Sequence, residues 1–123
     1  MKEILLLDDS QAALALIGGI VEGLGAVALK CSTVPEAVAI LQRKTPVLAL
    51  VDLYLLGNHG DHLSNQFVRD YLMPLQIPYG RVTSAPSDLP DEFKGQFVYD
   101  KRLIIDDPQQ FARELQISFE GLI

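Results

Sequence analysis

Val47-Leu48-Ala49-Leu50-Val51-Asp52 is an unbroken aliphatic run that stops on a carboxylate. Pro46 precedes it and Leu53-Tyr54-Leu55-Leu56-Gly57-Asn58-His59-Gly60 follows, so turn formers bound a segment too short for a helix. Continuous rather than alternating apolarity marks a strand covered on both faces, the habit of central parallel strands. In open α/β sheets the functional crevice lies at the carboxyl ends of such strands. Asp52 therefore stands in a functional position and is the first candidate residue.

Working outward, Ile4-Leu5-Leu6-Leu7 is a second run of the same kind, and it too stops on acids, Asp8 and Asp9. Ser10 can cap a following helix whose apolar positions Leu14, Ile17, Ile20, Val21 and Leu24 keep helical spacing, with Gly25 as its stop. Gly18-Gly19 weaken that helix by roughly 1 kcal/mol each relative to Ala, a cost that close packing on the sheet must offset. Ala26 to Lys30 reads as a short second strand. Thr33 with Glu36 makes a capping-box signature, Pro35 fits the first turn, and the helix runs through Ala37, Val38, Ile40 and Leu41 until Pro46 ends it.

Beyond Asp52, the loop Gly57 to Gly60 leads to a helix over roughly Asp61 to Leu72, with Leu63, Phe67, Val68 and Tyr71 facing inward. Tyr79 to Ser84 is a fourth strand, less apolar than the others because of Gly80 and Arg81. Ala85 to Gly95 carries Pro86, Pro90 and three acids and reads as loop with at most a turn of helix. Gln96 to Asp100 is a fifth strand, closed by Lys101. Asp107 and Pro108 open a last helix with Phe111, Leu115 and Phe119 on its buried stripe.

Five strand signals alternating with helical ones predict an α/β fold: a doubly wound, five-stranded parallel sheet of the flavodoxin-like type. The expected strand order is 2-1-3-4-5, with a shortened or missing fourth helix. The 123 residues fit one domain, read as spanning 1–123 with no output domain. With 49% apolar and 21% charged residues the chain is not a disordered one, and no apolar run reaches the ~18 residues of a spanning helix. Asp8-Asp9 cuts short any signal segment, and the single cysteine, Cys31, excludes an internal disulfide, so a cytoplasmic location is expected. Net charge −6 argues against direct nucleic-acid binding, and no membrane association is expected.

Right-handed crossovers put the first and third strands side by side at the centre of such a sheet, so Asp8, Asp9 and Asp52 converge at one edge. Pairs of carboxylates about 4 Å apart repel by ~4 kcal/mol at a protein-surface dielectric, which makes a cation part of the design. An all-oxygen set with few carboxylates suits Mg²⁺. Lys101 and Thr83 bring a cation and a hydroxyl from the ends of the fifth and fourth strands, the groups needed to hold three phosphoryl oxygens. Ser84, one residue on, competes with Thr83 for that role. His59 and His62 near the following loop lack a third partner for a transition-metal site.

Asp8-Asp9, Asp52, Gly60, Thr83 and Lys101, in this order and at these strand ends, resemble the receiver domain of bacterial two-component response regulators over essentially the whole chain. The resemblance implies a signalling switch rather than a turnover enzyme: Mg²⁺-dependent phosphoryl transfer from a sensor histidine kinase or phosphotransfer protein to Asp52, with possible self-dephosphorylation. It implies catalytic roles for Asp52, Thr83 and Lys101 and a metal set of Asp8, Asp9, Asp52 and Tyr54, with Tyr54 also readable as a packing aromatic or a screen for the acyl phosphate. Readout would be contact with a downstream protein target, with a homodimer left open.

Three departures accompany the match. Arg102 stands where receivers carry a cis proline after the lysine, and a trans Lys101-Arg102 bond is expected. Val98 occupies the place of the usual switch aromatic, and Tyr99 lies on the opposite strand face. Leu55-Leu56 replaces a frequent Met-Pro. An interaction module that accepts no phosphate, with Lys101 a structural ion-pair partner, is the alternative reading. A phosphatase with an aspartyl nucleophile ranks last, because Tyr54 occupies the place of its second acid.

Overall fold

In the computed structural model, which describes residues 1–55 and 60–123, the chain forms one parallel five-stranded sheet. The strands are β1 (Glu3–Leu7), β2 (Val27–Cys31), β3 (Leu48–Val51), β4 (Tyr79–Thr83) and β5 (Phe97–Asp100), in the order β2-β1-β3-β4-β5. The helices are α1 (Gln11–Gly23), α2 (Val34–Leu41), α3 (Gly60–Phe67) and α4 (Pro108–Ser118). Leu56, Gly57, Asn58 and His59, which the sequence assigns to the loop after Asp52, lie outside the described residues.

The pleat sends alternate side chains to opposite layers. Ile4 and Leu6 of β1 with Leu48 and Leu50 of β3 join Leu14, Ile17 and Val21 of α1 and Phe111 and Leu115 of α4 in one core. Leu5, Leu7, Ala49 and Val51 join Ala37 of α2 and Phe67, Val68 and Leu72 in the other. Every residue of β3 is buried, as an apolar run without alternation requires. Each large aliphatic side chain so covered contributes roughly 1.5–3 kcal/mol.

Local capping follows the sequence closely. Ser10 Oγ accepts from Ala13 N–H at the start of α1, and Asp107 Oδ1 accepts from Gln110 N–H at the start of α4. At α2, Thr33 Oγ1 accepts from Glu36 N–H, but Glu36 Oε1 reaches past the cap to Ser32 N–H and the Ser32 hydroxyl. These bonds hold the Glu36 carboxyl below its usual value.

Three expectations need correction. α2 ends at Leu41 with Gln42 as its cap, not at Pro46, because Arg43 and Lys44 N–H both turn back to Ile40 O. Leu63 and Tyr71 are more than one-third exposed, and Ser64 and Leu72 are buried instead. Behind the Tyr71 change lies a π-helical turn over Val68–Leu72, with Met73 N–H donating to Val68 O; the wider turn rotates Leu72 inward. Close packing on the sheet is found at Gly18, which is buried against Lys30 and Ala28 of β2, but not at Gly19, which is exposed. As expected, the β4–β5 connection has no α-helix, only two 3₁₀ turns, Pro86–Asp88 and Asp91–Phe93. It closes tightly: Gly95 has φ +70°, and a Cβ there would lie 2.3 Å from Tyr79 O.

Candidate functional site

β1 and β3 run side by side, with Leu7 paired to Val51, so the residues that follow each strand emerge together. Asp52 N–H donates to Leu7 O and Asp8 N–H to Cys31 O, which extends the ladder one step past the strands and fixes both acids. One carboxylate oxygen from each of Asp8, Asp9 and Asp52 lies within 4.8 Å of the others. Asp8 and Asp52 are buried and Asp9 is exposed, so the group has a sheltered floor and an open rim.

Lys101 follows β5 on a 3₁₀ turn and sends its ammonium across this edge. Nζ is 3.0 Å from Asp8 Oδ2 and 3.0 Å from Asp52 Oδ2. The remaining oxygens are held by main chain, Asp8 Oδ1 by Ser10 N–H and Asp52 Oδ1 by Leu53 N–H. Burial, with the field of Asp52, raises the Asp8 carboxyl above its ordinary value, against the pull of Ser10 N–H and Lys101. Burial works to lower the Lys101 ammonium, but the two carboxylates more than offset it and leave it raised.

Thr83 ends β4 beside this edge, is buried, and its Oγ1 accepts from Ala85 N–H. Ser84 is exposed and, with Lys101, Ser10, Ala13 and Arg102, lines a cavity of about 250 Å³. The Tyr54 hydroxyl donates to Asp88 Oδ2 at 2.6 Å, which ties the ring to the first 3₁₀ turn after β4. Arg102 is trans to Lys101, and its guanidinium and N–H fold back on Asp100. Tyr99 packs edge-on against Phe111 at 5.0 Å in the core, whereas Val98 is exposed, as strand alternation requires.

No protein-family model matches the chain, and no curated protein matches it in sequence. Solved structures match it over nearly its whole length. A response regulator from Thermotoga maritima superposes with a TM-score of 0.78 at 11% identity, covering 98% of this chain and 99% of its own. The receiver domain of the PhyR response regulator from Erythrobacter litoralis gives 0.80 at 18% identity, with 98% and 92% covered. This chain has the receiver fold. A third receiver-fold relative, the Thermotoga maritima response regulator TrrA, was solved with Mg²⁺ and BeF; it gives 0.69 at 18% identity over 94% of this chain and 99% of its own.

On this receiver fold the structure brings Asp8, Asp9, Asp52 and Lys101 into one cluster, with Thr83 at the same sheet edge. His62 is exposed, and His59 lies outside the described residues. Two participants escape the sequence. Asp88 sits in a segment that reads as loop and cannot be assigned a partner from spacing. Arg81 reads as a polar interruption of β4, yet it is completely buried beneath Asp52. An arginine inside an apolar strand was the available signal, since a buried guanidinium demands a full set of acceptors.

Proposed function

We propose that the chain is a phosphoacceptor switch: Asp52 accepts a phosphoryl group, with Mg²⁺, from a sensor histidine kinase or phosphotransfer protein, and contact with a downstream protein reads the result. The observation that carries this is the Lys101 ammonium equidistant from Asp8 and Asp52 in a cluster of three acids. Three carboxylates against one ammonium leave the cluster anionic, and a divalent ion fits that deficit. One oxygen from each acid lies within 4.8 Å of the others, against the roughly 4.2 Å between trans ligands of Mg²⁺ at ~2.1 Å per bond, so a small inward shift of the carboxylates would bring all three onto one ion.

Asp8, Asp9 and Asp52 would hold the ion; Tyr54, its hydroxyl committed to Asp88, would join only through its main-chain carbonyl. When bound, the ion supplies charge neutralisation and orients the phosphoryl oxygens. The chain's own groups do the rest. Leu53 N–H holds Asp52 Oδ1 in place, leaving Oδ2 as the nucleophile. Lys101 shields that oxygen from Asp8 before transfer and then follows the negative charge onto the incoming phosphoryl group. Thr83 donates its hydroxyl hydrogen to a phosphoryl oxygen, its Oγ1 being steadied by Ala85 N–H. Such a group is a signalling switch with one self-modifying turnover, and loss of the phosphoryl group to water resets it.

One observation favours a second reading. Lys101 already bridges Asp8 and Asp52, and Arg102 is locked to Asp100, so the fifth-strand end is held without phosphate, as an unphosphorylated interaction module would need. Intact-mass measurement with acetyl phosphate separates the two. A gain of one phosphoryl group that requires Mg²⁺ and disappears in Asp52→Asn supports the switch. No gain in the wild type leaves the module.

A further inference from the structure

Arg81 is the largest fully buried side chain, and the acid pocket described above does not use it directly. It lies in β4, paired in register with Val51 of β3. All five of its N–H donors find acceptors. Nε donates to Val51 O at 3.2 Å, Nη2 to Asp52 O at 3.3 Å and to Ser64 Oγ at 2.8 Å. Nη1 donates to Asn65 Oδ1 at 2.9 Å and to Phe93 O at 3.1 Å. None of these acceptors is a carboxylate. Ser64 in turn donates to Leu53 O at 2.6 Å, so the carbonyls of Val51, Asp52 and Leu53 are gripped in succession.

A buried cation without a direct anionic partner costs several kcal/mol unless its hydrogen bonds are complete. A hydrophobic residue would fill β4 at lower cost, as Val82 beside it does. Burial pulls the guanidinium down to about 10, against the fields of Tyr79 and Asp52, so it stays a cation at neutral pH. What a fixed planar fork offers and a methyl group does not is simultaneous registration of separate pieces of chain. Here the pieces are the main chain that carries Asp52, the middle of α3, and the 3₁₀ turn that ends at Phe93.

We propose that Arg81 is the positioning residue of the acid pocket: its guanidinium fixes the Asp52–Leu53 main chain and joins it to the turn before β5. A shift of the Asp52 main chain then reaches Phe93 through one rigid group, on the opposite side of the sheet from Tyr99, which stays locked in the other core. The joint rests on the proposed function only for what drives it, phosphorylation of Asp52.

The test is amide hydrogen exchange on the full chain as wild type, Arg81→Lys, Arg81→Met and Ser64→Ala, without ligand and with Mg²⁺ and beryllofluoride. Without ligand, Arg81→Met and Ser64→Ala should accelerate exchange at residues 52–54 and 93–96 together, by about tenfold or more, while Leu5–Leu7 of β1 stays unchanged. Ser64→Ala, which removes the hydroxyl between the guanidinium and Leu53 O and no charge, decides this arm if Arg81→Met does not fold. Acceleration spread evenly over the sheet would make Arg81 a packing residue only and overturn the proposal. With beryllofluoride, wild-type exchange at 93–96 should change; Arg81→Lys, which keeps the charge and loses the fork, should bind the ligand and lose that response. A response that survives in Arg81→Lys overturns the joint. If the wild type binds no beryllofluoride, the switch reading falls, and the ligand-free comparison alone decides whether Arg81 joins the two segments.

Discussion

The two halves of the sheet meet at β3 and are built on different terms. On one side β1 and β3 end in carboxylates, each with one oxygen held by a main-chain N–H, with apolar strands beneath them. On the other, β4 carries a buried arginine, the connection to β5 is a pair of 3₁₀ turns, and β5 runs into an Arg102–Asp100 ion pair. The first half holds Asp8, Asp9 and Asp52, the acids on which the resemblance read from the sequence rests. The second keeps Thr83 and Lys101 but replaces the parts around them. On the proposed function, the chemistry of the pocket and the route by which it is read out are therefore separable in this chain.

The sharpest way to break that comparison is to remove the one group from the second half that enters the first. Lys101→Met should lower the rate of Asp52 phosphorylation by acetyl phosphate by about 10²–10³-fold, the usual loss of a charged donor at a developing charge. Because the freed carboxylates repel, Mg²⁺ should raise the melting temperature of Lys101→Met more than that of the wild type. Scanning calorimetry with and without Mg²⁺ reads the difference, and equal shifts would mean that Lys101 does not share the cluster's charge.

Next in size is Gly95→Ala. A side chain there meets Tyr79 O at 2.3 Å and must adopt φ +70°, so β5 has to move; about 2–4 kcal/mol of stability should be lost. Gly25→Ala also has positive φ, +88°, but open space around it, and should cost only about 1–2 kcal/mol. Urea unfolding of the two variants measures the gap. Equal costs would show that the turn into β5 is looser than its contacts imply.

How far the sequence foretold each half follows from the range of the interactions. The strands β1 and β3, their terminal acids and the caps Ser10, Thr33 and Asp107 are written in contiguous or three-residue patterns, and all are found in place. The absent helix between β4 and β5 was legible from Pro86 and Pro90. The inward face past Val68 was not, because a π turn changes the period on which the reading of Tyr71 rested. Arg81 was read as a weakness of β4, since its acceptors come from positions 51, 52, 64, 65 and 93 and no local pattern joins them. Thr83 and Ser84 show the same limit: both were named, and the structure puts the buried one on the sheet edge and the exposed one in the cavity beside Lys101.

A smaller effect probes the matched half through pH. Burial, aided by the Glu36 charge, pushes the Cys31 thiol up from an ordinary 9.0 to about 12, and its hydrogen is donated to Leu6 O. Below pH 9 the thiol is neutral folded and unfolded, and it contributes nothing to pH dependence. Above pH 9 the unfolded thiol ionises and the folded one does not, so stability falls by roughly 1.4 kcal/mol per pH unit until about pH 12. Comparing denaturant midpoints at pH 8 and pH 10 should show a smaller drop in Cys31→Ala than in the wild type. Equal drops would place the alkaline loss on other groups.

The smallest expected effect tests whether anything besides Arg81 ties the two halves at the pocket's mouth. The Tyr54 hydroxyl and Asp88 Oδ2 join the segment after β3 to the turn after β4, but Asp88 is exposed. A hydrogen bond to a solvated carboxylate should be worth only about 0.5–1 kcal/mol, far less than the fully sheltered fork of Arg81. A double-mutant cycle with Tyr54→Phe and Asp88→Ala should return a coupling of that size, with single-variant stabilities changed by no more than about as much. A coupling several times larger would move the main link between the halves from the buried guanidinium to the surface. The separability of pocket and readout would then depend on a bond that any partner seated on the pocket's mouth could break.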